Sequence, residues 1–284
     1  MTKCIRIVIG IAVVLILAML VMTIYGIYRF VVYERAKDAL FIALENNDLE
    51  TMDNVLAKCP RAVNARQVTI VTIFHMDVAN NTLLVEAIFK HKTDAAKLLV
   101  EKYGADVNRR AGNRQTPLLE ALRQGDYDMA WYLINHGADV FKTEGGSWNE
   151  TVPFAIVGLS ISENDYEEAK AQLDLLKYVI EQGVPLDTPK GGTYGIQTLL
   201  GFAAYKNNWL VVDYLIEAEV FEMDDIVTDD NKTSLICAAE NGSYDACKAL
   251  LAHGANKDVI DAHGMTAYDY AVQLNDTRMI ELLS

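Results

Sequence analysis

The residues that could hold a metal or attack a carbonyl are five histidines, six serines and four cysteines, and their spacing supports neither chemistry. His75, His91, His136, His253 and His263 form no His-x-x-x-His or His-Glu-x-x-His pair, the spacing that puts two imidazoles on one helical face around a zinc ion. Cys4, Cys59, Cys237 and Cys247 lack Cys-x-x-Cys spacing and read as free thiols. No serine sits in a Gly-x-Ser-x-Gly elbow, and Gly191-Gly192-Thr193-Tyr194-Gly195 lacks the Gly-Lys-Ser/Thr ending with which a P-loop cradles phosphate. The expectation is therefore a chain with no catalytic residues, metal site, cofactor or small-molecule substrate. His136 and His253 each precede a glycine, where they can satisfy the last carbonyls of a helix.

What must position the remaining side chains is a chain of two parts. Residues 7–28 form a run of 22 residues without a charge, bracketed by Lys3 and Arg6 before it and by Arg29 and Arg35 after it. As a helix rising about 1.5 Å per residue it crosses a hydrocarbon core of about 30 Å, with Tyr25 and Tyr28 near one interface. Residues 1–6 are then a tail, 7–28 a single membrane-spanning helix and 29–37 a juxtamembrane helix. The competing reading is a cleaved secretory signal, which calls for a shorter apolar core and a small-x-small site, and Val21-Met22-Thr23-Ile24-Tyr25 offers none. Basic residues are nearly balanced on the two sides, so the side on which the following domain stands stays open. The formal net charge of −14 argues against nucleic acid as a partner, because phosphates require many lysines and arginines.

From about Asp38 onward the sequence repeats itself every 33–35 residues. A threonine followed two positions later by an apolar residue and five positions later by alanine recurs at Thr82, Thr116, Thr198, Thr233 and Thr266, with weaker copies at Thr151 and Asp38. Nine residues after this marker stand Asn47, Gly125, Asn207, Gly242 and Asn275, types that accept a left-handed turn. Apolar pairs such as Leu133-Ile134 and Leu250-Leu251 follow, then a closing glycine at Gly104, Gly137, Gly183 or Gly254. Each segment is thus a helix, a turn and a second helix. These segments resemble ankyrin repeats, best in Thr116-Pro117-Leu118-Leu119-Glu120-Ala121 and Leu133 to Val140. The resemblance implies an all-α ankyrin-repeat solenoid over 38–284, about seven units with β-hairpin-like fingers, starting near 38, 82, 116, 151, 198, 233 and 266. Two insertions interrupt it. One enlarges the finger at Val63 to Ala79, where Val68 to Phe74 is β-branched enough for a strand, and one between Ser160 and Leu173 is expected to lengthen an inter-helix turn.

Ankyrin stacks bind proteins on a concave face of finger tips and first helices, and the resemblance carries that role onto matching positions. The slot before the marker holds Gln115, Glu150, Gln197 and Lys232, and slots seven and eight after it hold Arg123, Gln124, Tyr205, Lys206 and Glu240. Trp148, at a finger tip, adds an aromatic of the kind enriched at binding hot spots. The expected function is a membrane-tethered scaffold or adaptor that binds a protein of unstated identity. The alternative is a secreted or periplasmic binding protein, inhibitory or immunity-like, with its signal removed.

Overall fold

The structure, a computed structural model, describes residues 2–66, 81–112, 114–142, 151–159, 165–186 and 195–284, with side chains from Leu15 onward. The strand expected at Val68 to Phe74, His75, Trp148, Glu150 and the glycines Gly191 and Gly192 lie outside the described residues. The fold is helical, and in place of strands the described residues have isolated bridges at Arg66 with Thr82, Ile196 with Thr228 and Ile226 with Thr233. The chain divides into two compact units, Met1–Asp106 and Val107–Ser284.

The first unit begins with α1 (Thr2–Glu45), one uninterrupted helix of 44 residues. It joins the apolar run, the juxtamembrane stretch and the first repeat helix without a break, because neither proline nor glycine occurs between Arg29 and Glu45 to stop it. Its surroundings change along its length. Leu15 to Phe30 leave their apolar side chains exposed, whereas Ala36, Leu40, Phe41, Ala43 and Leu44 are buried. The described part of this helix, Leu15–Glu45, contains a stretch long and apolar enough for a membrane span by length and composition. Then come α2 (Leu49–Lys58), a 3-10 turn (Pro60–Asn64), α3 (Leu83–Phe89) and α4 (Thr93–Lys97), which continues into a π turn (Leu98–Lys102). Asp53 on α2 accepts hydrogen bonds from Lys102 Nζ at 2.6 Å and Tyr103 OH at 2.7 Å, tying the two second helices together.

The second unit holds five helix pairs. They are α5 (Pro117–Arg123) with α6 (Tyr127–Asn135), α7 (Val152–Val157) with α8 (Tyr166–Glu181), α9 (Leu199–Tyr205) with α10 (Trp209–Glu217), α11 (Ser234–Glu240) with α12 (Tyr244–Ala252), and α13 (Ala267–Leu274) with α14 (Thr277–Leu283). The recurring threonine is the N-cap of each first helix. In both units its Oγ1 accepts the N–H three residues on: Thr82 from Val85, Thr116 from Leu119, Thr198 from Gly201, Thr233 from Ile236 and Thr266 from Asp269. Each such cap is worth about 1 kcal/mol. Thr151 makes no such bond, and its buried hydroxyl has no partner among the described residues.

The insertion before Leu173 leaves eight residues, 158–165, between α7 and α8, where α5 and α6, α9 and α10, and α11 and α12 are three apart. It also extends the second helix, so that α8 has 16 residues against 9 in α6, α10 and α12. The cause is a buried stripe that starts early: Ala169 and Gln172 are covered, and Gln172 Nε2 donates to Tyr127 OH at 3.1 Å and to the Ile156 carbonyl at 2.7 Å.

Stacking follows a strict register. The positions two and six after each marker are apolar and covered in Leu84 and Ile88, Leu118 and Leu122, Leu200 and Ala204, and Leu235 and Ala239, none more than 3% exposed. The same positions in α13 are Tyr268 and Val272, which are 39% and 45% exposed. Below them Met279 and Leu283 of α14 are buried, so the last pair covers its predecessor while its own far face stays apolar and open. Ile280 and Leu282, which the sequence places beside Leu283 in this cover, are only half-buried.

Candidate functional site

Three consecutive first helices and their fingers position the sequence-predicted residues of the C-terminal region. The finger before α11 is held by Val227, whose N–H donates to the Lys232 carbonyl at 2.8 Å and whose carbonyl accepts from the Gln197 N–H at 2.8 Å. It packs closely on α9: a Cβ on Gly201 would come within 2.7 Å of Val227 Cγ2. Beside this finger lies a cleft of about 280 Å³ whose lining includes Tyr205, Asp229, Asp230, Lys232, Cys237 and Glu240. Lys232, Tyr205 and Glu240 thus share one site, and Gln197 joins its rim by donating from Nε2 to Asp229 Oδ1 at 2.6 Å.

The electrostatics of this cleft are acidic. Lys232 Nζ donates to Glu240 Oε1 at 2.7 Å and lies 5.2 Å from the centre of the Tyr270 ring. Burial alone would depress the lysine, but Glu240 outweighs burial and holds the ammonium above its ordinary 10.5. Tyr270 OH in turn donates to Asp261 Oδ2 at 2.6 Å, and Asp261 Oδ1 accepts the N–H groups of His263 and Met265. Burial pushes Asp261 upward, yet these donors prevail and its carboxyl sits below 3.8. Lys232 is therefore spent on Glu240, which leaves the carboxylates Asp229 and Asp230 to set the sign of the mouth.

The other predicted positions fall elsewhere. Lys206 lies over the Phe202 ring at 5.7 Å, beside the cleft but outside its lining. Gln124 donates from Nε2 to Glu120 Oε1 at 3.0 Å and Arg123 is exposed, both at the end of α5. Gln115 is 4% exposed, a packed side chain in its finger. Trp148 and Glu150 lie outside the described residues. Sequence reasoning missed Asp229, Asp230 and Tyr270, although the repeat register places Asp229 and Asp230 at the finger tip and Tyr270 on the same face of the next first helix. Among the described residues no three His, Cys, Asp or Glu side chains gather as metal ligands. Cys59, Cys237 and Cys247 are free and buried, and burial pushes the Cys237 thiol up to about 12.

Comparison with known proteins agrees with this architecture. The chain is 27% identical over 241 residues to the putative palmitoyltransferase ZDHHC13 of Danio rerio, covering 82% of this chain and 33% of that protein. It is 38% identical over 97 residues to protein phosphatase 1 regulatory subunit 27 of Mus musculus, covering 33% of this chain and 60% of that protein. The chain thus spans about a third of the first relative and 60% of the second. Among solved structures, the human ASB11 ankyrin repeat domain superposes with a TM-score of 0.59 at 21% identity, over 86% of this chain and 95% of that one. A chain from the complex of the Bdellovibrio bacteriovorus predatory endopeptidase Bd0816 with immunity protein Bd3460 gives 0.54 at 23% identity, over 70% and 95%. These likenesses concern the fold. The family profile of ankyrin repeats matches residues 40–144, 168–261 and 200–284, and the chain belongs to the ankyrin-repeat family.

Proposed function

We propose that this chain is a membrane-tethered adaptor that binds a protein partner bearing a basic segment in the cleft around Tyr205, Lys232 and Glu240, and that it carries no catalytic activity of its own. Ankyrin repeats are protein-interaction modules; the tether, the cleft and the charge of the partner are the finer parts of the reading. The observation that carries it is the convergence in one cleft of side chains from successive repeats with two carboxylates at its mouth. From Gly195 to Ser284 the sequence holds 15 Asp and Glu against five Lys and Arg, so a cationic surface is the complement. The tether is supported by the charge-free run and by the continuity of α1, which a cleaved signal would cut in the middle of a helix. The enzymatic name of the zebrafish relative stays with that relative, of which this chain spans a third.

The test uses the tagged full chain in cells, with proximity labelling by the wild type and by Tyr205→Ala/Glu240→Lys. The expected result is a small set of proteins labelled by the wild type, lost with the double variant, and bound by the purified chain less tightly as salt rises. Both variants are first shown to melt alike. A label set that the double variant leaves unchanged would sink the cleft as the binding site, and alkaline carbonate extraction of the chain from membranes would sink the tether.

A further inference from the structure

We propose that a cleft at the root of α1 is a binding site for the phosphate of an anionic phospholipid headgroup. The inference rests on the membrane tether proposed above and adds a lipid preference to it. The cleft has a volume of about 340 Å³ and is lined by Tyr28, Arg29 and Val32 from α1 and by Lys58, Pro60 and Arg61 from the end of α2 and the following 3-10 turn. That volume falls in the range of small-ligand sites.

Its construction is specific. Arg61 donates to the Arg29 carbonyl and lies 5.2 Å from the centre of the Tyr33 ring, which pins the guanidinium against α1. Arg29 lies 5.6 Å from the centre of the Tyr25 ring. Lys58 is the last residue of α2, where the helix dipole favours a cation. None of these three cations is paired with a carboxylate among the described residues. Elsewhere in the same unit Lys37, Lys90 and Lys102 each have one, in Glu34, Glu45 and Asp53. Three like charges gathered around a cleft repel one another until an anion enters.

Position names the anion. Tyr28 closes the charge-free run that begins at Ile7, so on the tether reading the cleft opens where acyl chains give way to headgroups. Tyr28 and Val32 then offer an apolar wall to the glycerol and upper acyl region, and the three cations face the phosphate. Charge along the chain agrees. On the side of the apolar run where the cleft lies, residues 29–66 contain six Lys and Arg and six Asp and Glu and are neutral overall, whereas residues 67–284 contain 17 and 33, net −16. On the tether reading, the segment next to the apolar helix is thus spared the acidic excess of the rest of the chain.

The experiment reconstitutes the full chain in phosphatidylcholine vesicles and measures, by electron paramagnetic resonance, the motionally restricted fraction of spin-labelled phosphatidylserine and of spin-labelled phosphatidylcholine. The site predicts at least about a tenfold preference for the serine lipid, retained in Lys58→Arg. In Lys58→Gln, which breaks no side-chain hydrogen bond or ion pair among the described residues, and further in Lys58→Gln/Arg61→Gln, the preference falls toward one. Equal restriction of both lipids in a chain that floats with the vesicles overturns the site and leaves the tether standing. A chain that does not float with phosphatidylcholine vesicles overturns the tether and the site together. Loss of the preference on adding excess inorganic phosphate would assign the cleft to the free anion and overturn the lipid proposal.

Discussion

Asp261 and Tyr270 make the last two repeats sensitive to both ends of the pH scale. Asp261 is held below 3.8 in the folded chain by its three donors, so its contribution is present above the unfolded value and is lost as pH falls through the depressed one. Tyr270 and Tyr127 are both pushed up to about 12, first by burial, and Asp261 adds to the rise at Tyr270. A raised phenol stabilises the fold fully below the ordinary 10.0 and loses that contribution as pH rises toward 12. Urea midpoints should therefore fall below pH 4 and again above pH 10, and absorbance at 295 nm should show two tyrosines ionising only as the chain unfolds. Tyr270→Phe should remove part of the alkaline loss, and an unchanged profile would show that the Tyr270 phenol is not raised in the folded chain. At Gly201, a valine would drive its methyls into Val227, and we expect a cost of about 1–3 kcal/mol in urea melting. Residue type alone marked the left-handed turns at Asn47, Gly125, Asn207, Gly242 and Asn275, with φ of 56°, 69°, 61°, 70° and 54°. It did not mark His91 or Arg114, at 53° and 68°, and Glu219, at 51°, stands where other repeats close on glycine. Their places in the repeat impose it, and register finds all three.

The last helix pair is closed on one side and open on the other. Met279 and Leu283 are the side chains that shield the preceding pair, and Met279→Ala should cost about 2–5 kcal/mol by loss of a fully buried side chain. Removing residues 274–284 removes both and should lower the urea midpoint further and produce aggregates on gel filtration. A midpoint unchanged by that truncation would mean that α11 and α12 need no cover. Lysine at Val272 should be nearly neutral, whereas lysine at Ala239, the same register position one repeat earlier, should unfold the C-terminal region. Periodicity made the helix pairs legible because it reports the apolar stripe that each pair must bury. It gave the longer connection before α8 but not the longer helix, since acidic Glu167 and Glu168 read as loop while Ala169 and Gln172 carry the stripe of α8 onward from an earlier start. Gln172 is a buried polar residue that no hydrophobic pattern can announce.

At the scale of the whole molecule, deletion of residues 1–30 should leave a soluble, helical protein, because the buried part of α1 starts at Ala36 and repeats draw their stability from their neighbours. An insoluble product would place the apolar segment in the core of the domain. The family and the binding role were legible because the repeat grammar is redundant, whereas the cleft was only half legible, since Asp229, Asp230 and Tyr270 join it through stacking rather than through any motif. The unbroken α1 also has a mechanical meaning. With no hinge between Arg29 and Glu45, the first repeat is a rigid extension of the apolar helix and shares its rotational phase. One alanine inserted after Val31 would turn that repeat by about 100° and lift it by about 1.5 Å, while seven, close to two full turns, would lift it by about 10 Å and nearly restore its heading. On the tether reading the lipid-facing side of the helix and the compass direction of the first repeat are therefore a single variable. Cysteine crosslinking from Lys58 to a bilayer-restricted probe should be lost with one inserted residue and lost through height with seven. Crosslinking that tolerates one insertion would reveal a swivel that the helix does not contain.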